Sequence, residues 1–225
     1  MRRRRSARQA RQRWVFGTAA PLARALASQA AMAAITPRAD RIIDLVQLRA
    51  GGRYLDVGCG TGAYAHLLAA RAGMAAPPLC MDLVDGPGPV ELVGWPEKLP
   101  FPDASFDHIT SLYFIRRFDD DVVHAFAEEI SRVLAPGGHA LVLEVAPVVS
   151  DRLNALHSRL VSPGTQQVDL RGWSRMAALF TECGFGAIDL VNVGPFLAPP
   201  IPRVGVLLRH LPGAPGERTA SAGSH

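Results

Sequence analysis

The sequence predicts an α/β fold in which a doubly wound sheet of seven strands carries helices on both faces. Short apolar runs alternate with helical patterns along the chain, and this alternation is typical of parallel sheets. The first apolar run, Tyr54–Val57, continues directly into a loop with a glycine at every second position. A helical pattern opens behind that loop at Ala63. In such folds the ligand binds at the carboxyl ends of the strands.

Seven short, largely apolar segments are predicted as strands. They are Tyr54–Val57, Leu79–Leu83, Val90–Val93, Phe106–Leu112, Ala140–Val145, Phe185–Val193 and Arg203–Arg209. Glycine and proline alternate over residues 86–89, between the second and third of these strands. Both residue types disfavour a helix, so the helix expected at this connection is shortened or absent.

The helices are predicted from apolar residues at helical spacing. Residues 18–35 form one helix, Pro37 marks a break, and residues 38–48 form the next helix. Asp119–Leu134 is amphipathic and has an acidic first turn, which suits the helix dipole. Residues 135–138 are predicted as the turn into the fifth strand. Residues 151–160 and 172–183 are the remaining helical segments.

Length and charge divide the chain into an arm, one folded domain and a tail. The 225 residues are enough for a single domain. Residues 1–13 hold seven arginines and no acid, so the rest carries 17 basic and 20 acidic residues, a net charge of −3. We expect residues 1–14 to be a disordered basic arm, 15–210 the folded domain, and 211–225 a disordered tail.

The basic arm and the cysteines bear on partners and location. The arm could contact RNA, anionic lipid or an acidic partner, although a plain solvated tail is favoured.

The three cysteines are far apart without metal-ligand spacing, which fits a reducing compartment and predicts no metal site. No apolar run approaches the ~18–20 residues of a membrane span. A cytoplasmic location is therefore expected, with an organelle as the alternative if residues 1–35 are a transit peptide.

The glycine loop admits two interpretations, and Asp56 separates them. Gly58, Gly60 and Ala63 satisfy the G-x-G-x-x-G/A pattern of dinucleotide-binding proteins. Asp56 precedes the first glycine by two residues and still belongs to the strand. A carboxylate aimed into the loop repels a pyrophosphate but attracts a ligand that carries an ammonium group. The pattern therefore favours a ligand with an ammonium group over a dinucleotide.

Here the chain resembles the class I S-adenosylmethionine (SAM) methyltransferases, whose first motif reads hydrophobic-Asp-hydrophobic-Gly-x-Gly-x-Gly. Leu99–Asp107 is similar to the LPFpdgsFD run of the small-molecule (type 11-like) branch, and residues 134–138 match a helix–LxPGG–strand unit. The resemblance covers residues 39–193. It implies a Rossmann-like fold with the final strand antiparallel and SAM as cofactor. It also implies N-terminal lid helices over residues 15–50 and a substrate cap over residues 146–170.

The resemblance assigns cofactor residues along the carboxyl ends of the strands. Asp56 is expected near the SAM ammonium group and Asp82 on the ribose hydroxyls, with Asp85 as the alternative for the ribose. Ser111 should face the methionine part. The remaining expected contacts are the loop residues Gly58, Cys59, Gly60, Thr61 and Gly62 and the adenine-side residues Trp95, Pro96 and Glu97. Family members often have an acid and a small residue where this chain has Trp95 and Pro96, and Pro96 has no N–H for the adenine.

The residues that would act on the acceptor are harder to assign. His157 in the predicted cap and Tyr113 after the fourth strand are the candidate general bases. Arg116 and Arg117 stand where relatives often have His-His, so they are candidate contacts for an anionic acceptor. The alternative is that both arginines pair with Asp119, Asp120 or Asp121 on the surface. Phe196 belongs to an apolar, proline-rich loop over residues 194–202 that is expected to line the acceptor pocket.

Two functions follow from this resemblance. The first is an enzyme that transfers a methyl group from SAM to a small molecule. The second is a SAM-binding accessory protein or pseudoenzyme with a protein or RNA partner, suggested by Trp95-Pro96, the shortened helix and the basic arm. Methyl transfer mainly requires positioning and desolvation, so few residues are chemically obligatory and the sequence does not name the acceptor.

Overall fold

A computed structural model of the chain describes residues 29–83, 91–161, 168–194 and 202–211. For residues 29–37 and 157–161 the description covers the backbone alone. The basic arm over residues 1–14, Asp85, Phe196 and the tail beyond residue 211 lie outside the described residues. So does most of the connection from the second to the third strand, so the expectation of a shortened helix there stays a prediction.

The described chain alternates helices with seven strands. The helices are α1 Gln29–Val46, α2 Ala63–Arg71, α3 Asp120–Val133, α4 Asp151–Val161 and α5 Trp173–Phe180, with a short 3-10 helix at Ile115–Arg117. The strands are β1 Tyr54–Val57, β2 Leu79–Asp82, β3 Leu92–Val93, β4 Phe106–Leu112, β5 Leu134–Val145, β6 Ala187–Val191 and β7 Arg203–Arg209.

The strands form one sheet in the order β3-β2-β1-β4-β5-β7-β6. All pairings from β3 through β5 are parallel, whereas β7 pairs antiparallel with both β5 and β6. The strand order reverses direction between β1 and β4, and ligands bind in the crevice at such a switch point. The predicted seven-stranded α/β fold with an antiparallel final strand is confirmed.

Helices cover both faces of the sheet, as predicted. On one face α3 and α5 pack against β1 and β7 through buried residues that include Phe126, Met176 and Leu55. On the other face α1 and α2 pack against β1 and β5 through Ile42, Leu68 and others. Successive residues of a strand point to opposite faces, so one strand supplies both cores.

Two local predictions are wrong. Pro37 does not end a helix, because α1 continues through it from Gln29 to Val46. Proline removes one backbone donor there, and the burial of Ala39, Ile42 and Val46 holds the following turns in place.

The turn predicted over residues 135–138 belongs to strand β5, which already begins at Leu134. Leu134 pairs with Phe106 and His139 with His108, so four residues of β5 oppose a single residue of β4. The Pro-Gly-Gly sequence therefore forms an irregularity within the ladder, with Gly137 at φ 75°.

Candidate functional site

The loop after β1 is shaped by two glycines that meet different surroundings. Gly58 has a φ of 79°, and a Cβ atom there would lie 2.3 Å from the ring of Phe114. Gly60 has a φ of 60°, and a Cβ there would meet no atom within 4 Å. Gly58 is thus required by packing, whereas the space beside Gly60 is open to a ligand.

Asp56 is a buried carboxylate behind this loop, with 5% of its surface exposed. The parallel register places Thr110 of β4 beside it, and the Thr110 hydroxyl donates to Asp56 Oδ1 at 2.5 Å. Because Thr110 has a single proton, it accepts its second hydrogen bond, 2.7 Å long, from the Tyr54 hydroxyl. Burial raises the pKa of Asp56 to about 7, against the hydrogen bond from Thr110, which lowers it.

Asp82 is the last residue of β2 and contacts the same glycine loop. Its Oδ2 accepts the Gly60 N–H at 2.7 Å, and its Oδ1 accepts the Leu83 N–H at 2.6 Å. The carbonyl of Met81 accepts the N–H groups of Gly58 and Cys59 at 2.8 and 3.2 Å. The loop is therefore tied to the end of β2, and each Asp82 oxygen keeps a lone pair for a further donor.

Two polar groups at the predicted adenine and methionine ends lack hydrogen-bond partners among the described residues. They are Glu97 Oε2 and Ser111 Oγ, and both atoms are buried. Trp95 packs against the core, and Pro96 is buried. Cys59 is no nucleophile, because the neighbouring Cys80 thiol and burial raise its pKa far above the usual range.

Tyr113 follows β4 in a left-handed conformation, with φ 60°. Its N–H donates to the Leu143 carbonyl at 2.7 Å, and its hydroxyl accepts from Arg203 Nη1 at 2.9 Å. Burial raises the pKa of Tyr113, and the charge of Arg203 opposes this. The phenol is therefore neutral at pH 7, which disfavours the predicted role as a base.

Arg116 is directed into the protein and pairs with Glu144 of β5. Its backbone N–H donates to Glu144 Oε2 at 3.1 Å and its Nη1 to Oε1 at 3.3 Å, and Nη1 also donates to the Tyr113 carbonyl. Both side chains are almost fully buried. The alternative of a surface pair between Arg116 and the aspartates over residues 119–121 is therefore wrong.

Arg117 lies within electrostatic reach of the carboxylates of Asp82 and Glu144. Burial and the neighbouring charge of Arg116 lower its pKa, whereas the carboxylates of Asp82 and Glu144 raise it. Arg117 is half-buried rather than extended into solvent. The structure thus separates the two arginines: Arg116 is occupied by Glu144, and Arg117 lies within the electrostatic reach of Asp82.

The structure gives limited information on the other predicted acceptor residues. His157 lies on α4 in the predicted cap, at a position where only the backbone is described. Phe196 lies outside the described residues. Two other histidines have structural contacts: His124 Nδ1 lies 3.0 Å from the Leu179 carbonyl, and His139 pairs with His108 inside the sheet.

Sequence reasoning did not identify two buried arginines that build this region. Arg203 opens the otherwise apolar strand β7, and a charged residue at that position was the available signal. Arg171 is fully buried, and it donates to the Ile115 and Phe118 carbonyls at 3.2 and 2.6 Å. It fixes the end of the predicted cap to the 3-10 helix that carries Arg116 and Arg117.

Comparison with known proteins agrees with this geometry. Residues 55–142 match a family model described as a methyltransferase domain. This match and the fold described above support a class I SAM-dependent methyltransferase domain. The matched residues run from β1 through most of β5 and include the glycine loop, Asp56, Asp82 and Ser111.

Relatives of this methyltransferase domain include enzymes named for quinones. A demethylmenaquinone methyltransferase of Bacillus licheniformis is 27% identical over 176 residues, covering 64% of this chain and 75% of that protein. The ubiquinone/menaquinone biosynthesis C-methyltransferase UbiE of Stenotrophomonas maltophilia is 35% identical over 120 residues, covering 47% of each. The chain spans about half the length of most of the curated relatives it matches.

A solved structure shares the fold. Human N-acetylserotonin methyltransferase in complex with SAM superposes with a TM-score of 0.57 and 17% identity, covering 81% of this chain and 54% of that one. Within the described residues, no group of His, Cys, Asp and Glu side chains is arranged to hold a metal ion. No helix in the same part of the chain is long and apolar enough to cross a membrane.

Four features of the methyltransferase domain suit SAM as the ligand. Gly60 borders open space, and Asp56 is a buried acid on β1, two residues before the first glycine of the loop. Ser111 Oγ and Glu97 Oε2 are buried and have no hydrogen-bond partner among the described residues. A ligand with an ammonium group, hydroxyls and an adenine ring supplies suitable partners for such a set.

Proposed function

We propose that this protein is a SAM-dependent methyltransferase that acts on a small oxygenated aromatic acceptor of the quinol class. The observation that carries the proposal is the buried Asp56 carboxylate behind an open glycine loop, with Asp82 ending the next strand. The quinone names of the relatives suggest the class of acceptor, because an electron-rich ring offers the nucleophilic atom that methyl transfer requires.

The cofactor residues divide by the part of SAM that each would bind. Asp56 is proposed for the ammonium group, with Thr110 and Tyr54 holding its carboxylate in place. Asp82 is proposed for the ribose hydroxyls, for which each carboxylate oxygen keeps a lone pair. The other proposed contacts are Gly58, Cys59, Gly60, Thr61, Gly62, Trp95, Pro96, Glu97 and Ser111.

The chain's own residues would position the acceptor and exclude water. SAM, when bound, supplies a sulfonium-activated methyl group and keeps the electron pair of the broken carbon–sulfur bond, so the acceptor provides the new pair and releases a proton. Arg117 is the proposed contact for a negatively charged acceptor. His157 and Phe196 remain proposed cap and pocket residues, because the structure describes neither side chain.

Location and partners are proposed on narrower grounds. The three cysteines are all free thiols, which fits the cytoplasm. An organellar location stays the alternative if residues 1–35 are a transit peptide. Binding of nucleic acid by the arginine-rich arm stays a prediction, because residues 1–14 lie outside the described residues.

The proposal is tested by separating SAM binding from turnover. Calorimetry with SAM is followed by assays of S-adenosylhomocysteine release across an acceptor panel that includes a short-chain prenylated 1,4-naphthohydroquinone, simple phenols and amines. Binding with turnover on the hydroquinone is the expected result. Binding without turnover on any acceptor favours the alternative, a SAM-binding accessory protein or pseudoenzyme. A failure to bind SAM contradicts both functions.

A further inference from the structure

Tyr113 is held in a strained conformation by three separate contacts. Its φ of 60° places a bulky side chain in the left-handed region, which is unfavourable for an L-residue. The Leu143 carbonyl accepts its N–H, Arg116 donates to its carbonyl, and Arg203 donates to its hydroxyl. Strained residues persist only where the surroundings fix them, and they concentrate at functional sites.

Arg203 is itself fixed, so it can orient the phenol. Its Nε donates to the Gly194 carbonyl at 2.6 Å and its Nη2 to the Val193 carbonyl at 2.7 Å. The third contact, from Nη1, reaches the Tyr113 hydroxyl at 2.9 Å. The residue is 5% exposed and opens β7, and all three of its guanidinium nitrogens donate hydrogen bonds.

The contact also sets the direction of the hydrogen bond. A guanidinium has only donors, so the Tyr113 oxygen is the acceptor in this pair. The phenolic proton is then directed away from Arg203. Tyr113 directly follows the strand that carries Thr110 and Ser111, at the same end of the sheet as Asp56.

We infer that Tyr113 acts as a hydrogen-bond donor to an oxygen of the methyl acceptor, and that Arg203 is the positioning residue that aims it. The inference rests on the proposed function and narrows the chemical class of the methyl acceptor. The acceptor carries an oxygen next to the atom that receives the methyl group, as a phenol or a hydroquinone does. Tyr113 accordingly binds and orients the acceptor and removes no proton from it.

The test measures the binding of simple probes to the full chain with S-adenosylhomocysteine bound. The probes are 1-naphthol and naphthalene, which differ by one oxygen. We expect wild-type protein to bind 1-naphthol about tenfold more tightly than naphthalene, which is the scale of one hydrogen bond. Tyr113→Phe should abolish this difference and leave the affinity for S-adenosylhomocysteine unchanged.

A second readout distinguishes positioning from a structural role. The chain has three tyrosines, so tyrosine labelled with ¹³C at Cζ gives three resonances, and Tyr113→Phe identifies the one from Tyr113. Adding 1-naphthol should shift that resonance. Arg203→Met should remove both the shift and the preference for 1-naphthol, and Arg203→Lys, which keeps one donor, should restore part of each. Tyr113→Phe keeps the test valid if Arg203→Met does not fold.

The outcomes separate the two proposals. Equal affinity for 1-naphthol and naphthalene in the wild type overturns the inference, as does a preference that survives in Tyr113→Phe. A shift of the Tyr113 resonance that is the same with naphthalene also overturns it. Failure of the wild type to bind S-adenosylhomocysteine instead contradicts the proposed function.

Discussion

The two halves of the site are built in different ways. The cofactor half consists of the glycine loop with Asp56 and Asp82, and its hydrogen bonds come mostly from backbone N–H groups close to the loop. The proposed acceptor half consists of Tyr113, Arg116, Glu144 and Arg203, with Arg117 beside them, and its buried arginines bridge residues up to 90 positions apart. A short motif specifies the first half, whereas the whole fold is needed to assemble the second.

This difference predicts different responses to substitution. A change at the ligand-facing edge of the cofactor half should weaken binding and leave the fold intact. A change in the acceptor half should destabilise the protein first, because removing one partner leaves a buried charge without compensation.

The largest expected effect is at Glu144, which is fully buried against Arg116. Glu144→Gln should lower the free energy of unfolding by about 3–5 kcal/mol, the cost of breaking a buried ion pair. Urea unfolding measures this loss. Removing both charges with Glu144→Leu and Arg116→Met should recover much of it. Arg71→Met, at the exposed pair with Asp40, is the control and should have a far smaller effect.

The two loop glycines should respond differently to alanine. Gly58→Ala forces a methyl group into the Phe114 ring at a positive φ, so it should cost about 3 kcal/mol of stability. Gly60→Ala meets no atom, so it should cost only about 1–2 kcal/mol for its φ while reducing SAM affinity. Unfolding and SAM titrations are compared for both variants. Equal stability losses would show that Gly60 is also a packing position.

Arg117 tests whether the acceptor half binds a charge. Arg117→Ala should raise the KM for the acceptor about tenfold or more and leave SAM affinity unchanged, because a hydrogen bond to a charged group is lost. The kinetics use the acceptor found by the panel, with the exposed Arg41→Ala as control. An unchanged KM for the acceptor would show that Arg117 does not bind the acceptor.

A smaller effect is expected at the opposite end of the sheet, away from both halves. Burial lowers the pKa of His108, His139 and His210, so the unfolded chain binds more protons than the folded one just below pH 6.5. These histidines should therefore lower stability as the pH drops from 6.5 towards 5, whereas Asp56, with its raised pKa, contributes in the opposite direction. Urea midpoints at pH 7.5 and 5.5 measure the loss, and His108→Gln should reduce it. If His108→Gln shows the same pH dependence of stability as the wild type, His108 does not contribute to the loss.

The sequence predicted the parts of the protein that depend on local pattern. The approximate strand positions and the α/β order follow from short apolar runs and glycine positions, and the predicted α/β fold was confirmed. The bounds were less accurate, since β5 begins at Leu134 and β6 covers only Ala187–Val191. The break at Pro37 was wrong because the burial of α1 outweighs the cost of an interior proline. The contact of Arg203 with Tyr113 joins β7 to the end of β4, and no local pattern reports such a pairing.

If the Asp56 carboxylate binds the ammonium group of SAM, the affinity for SAM should depend on pH. The pKa of Asp56 is about 7 in the free protein, so SAM binding should draw a proton off the carboxyl and weaken as the pH falls. Calorimetric titration should show wild-type affinity about tenfold lower at pH 5.5 than at pH 7, a range in which the ammonium group of SAM stays protonated.

The decisive comparison is the same titration of Asp56→Asn, with the exposed Asp44→Asn as control. Asp56→Asn should bind SAM more weakly at pH 7 by roughly 1.5–3 kcal/mol, with no dependence on pH between 5.5 and 7. Asp44→Asn should behave as the wild type does. If Asp56→Asn binds SAM as tightly as the wild type, or keeps the same pH dependence, the ammonium group is bound elsewhere and the proposed role of Asp56 is contradicted.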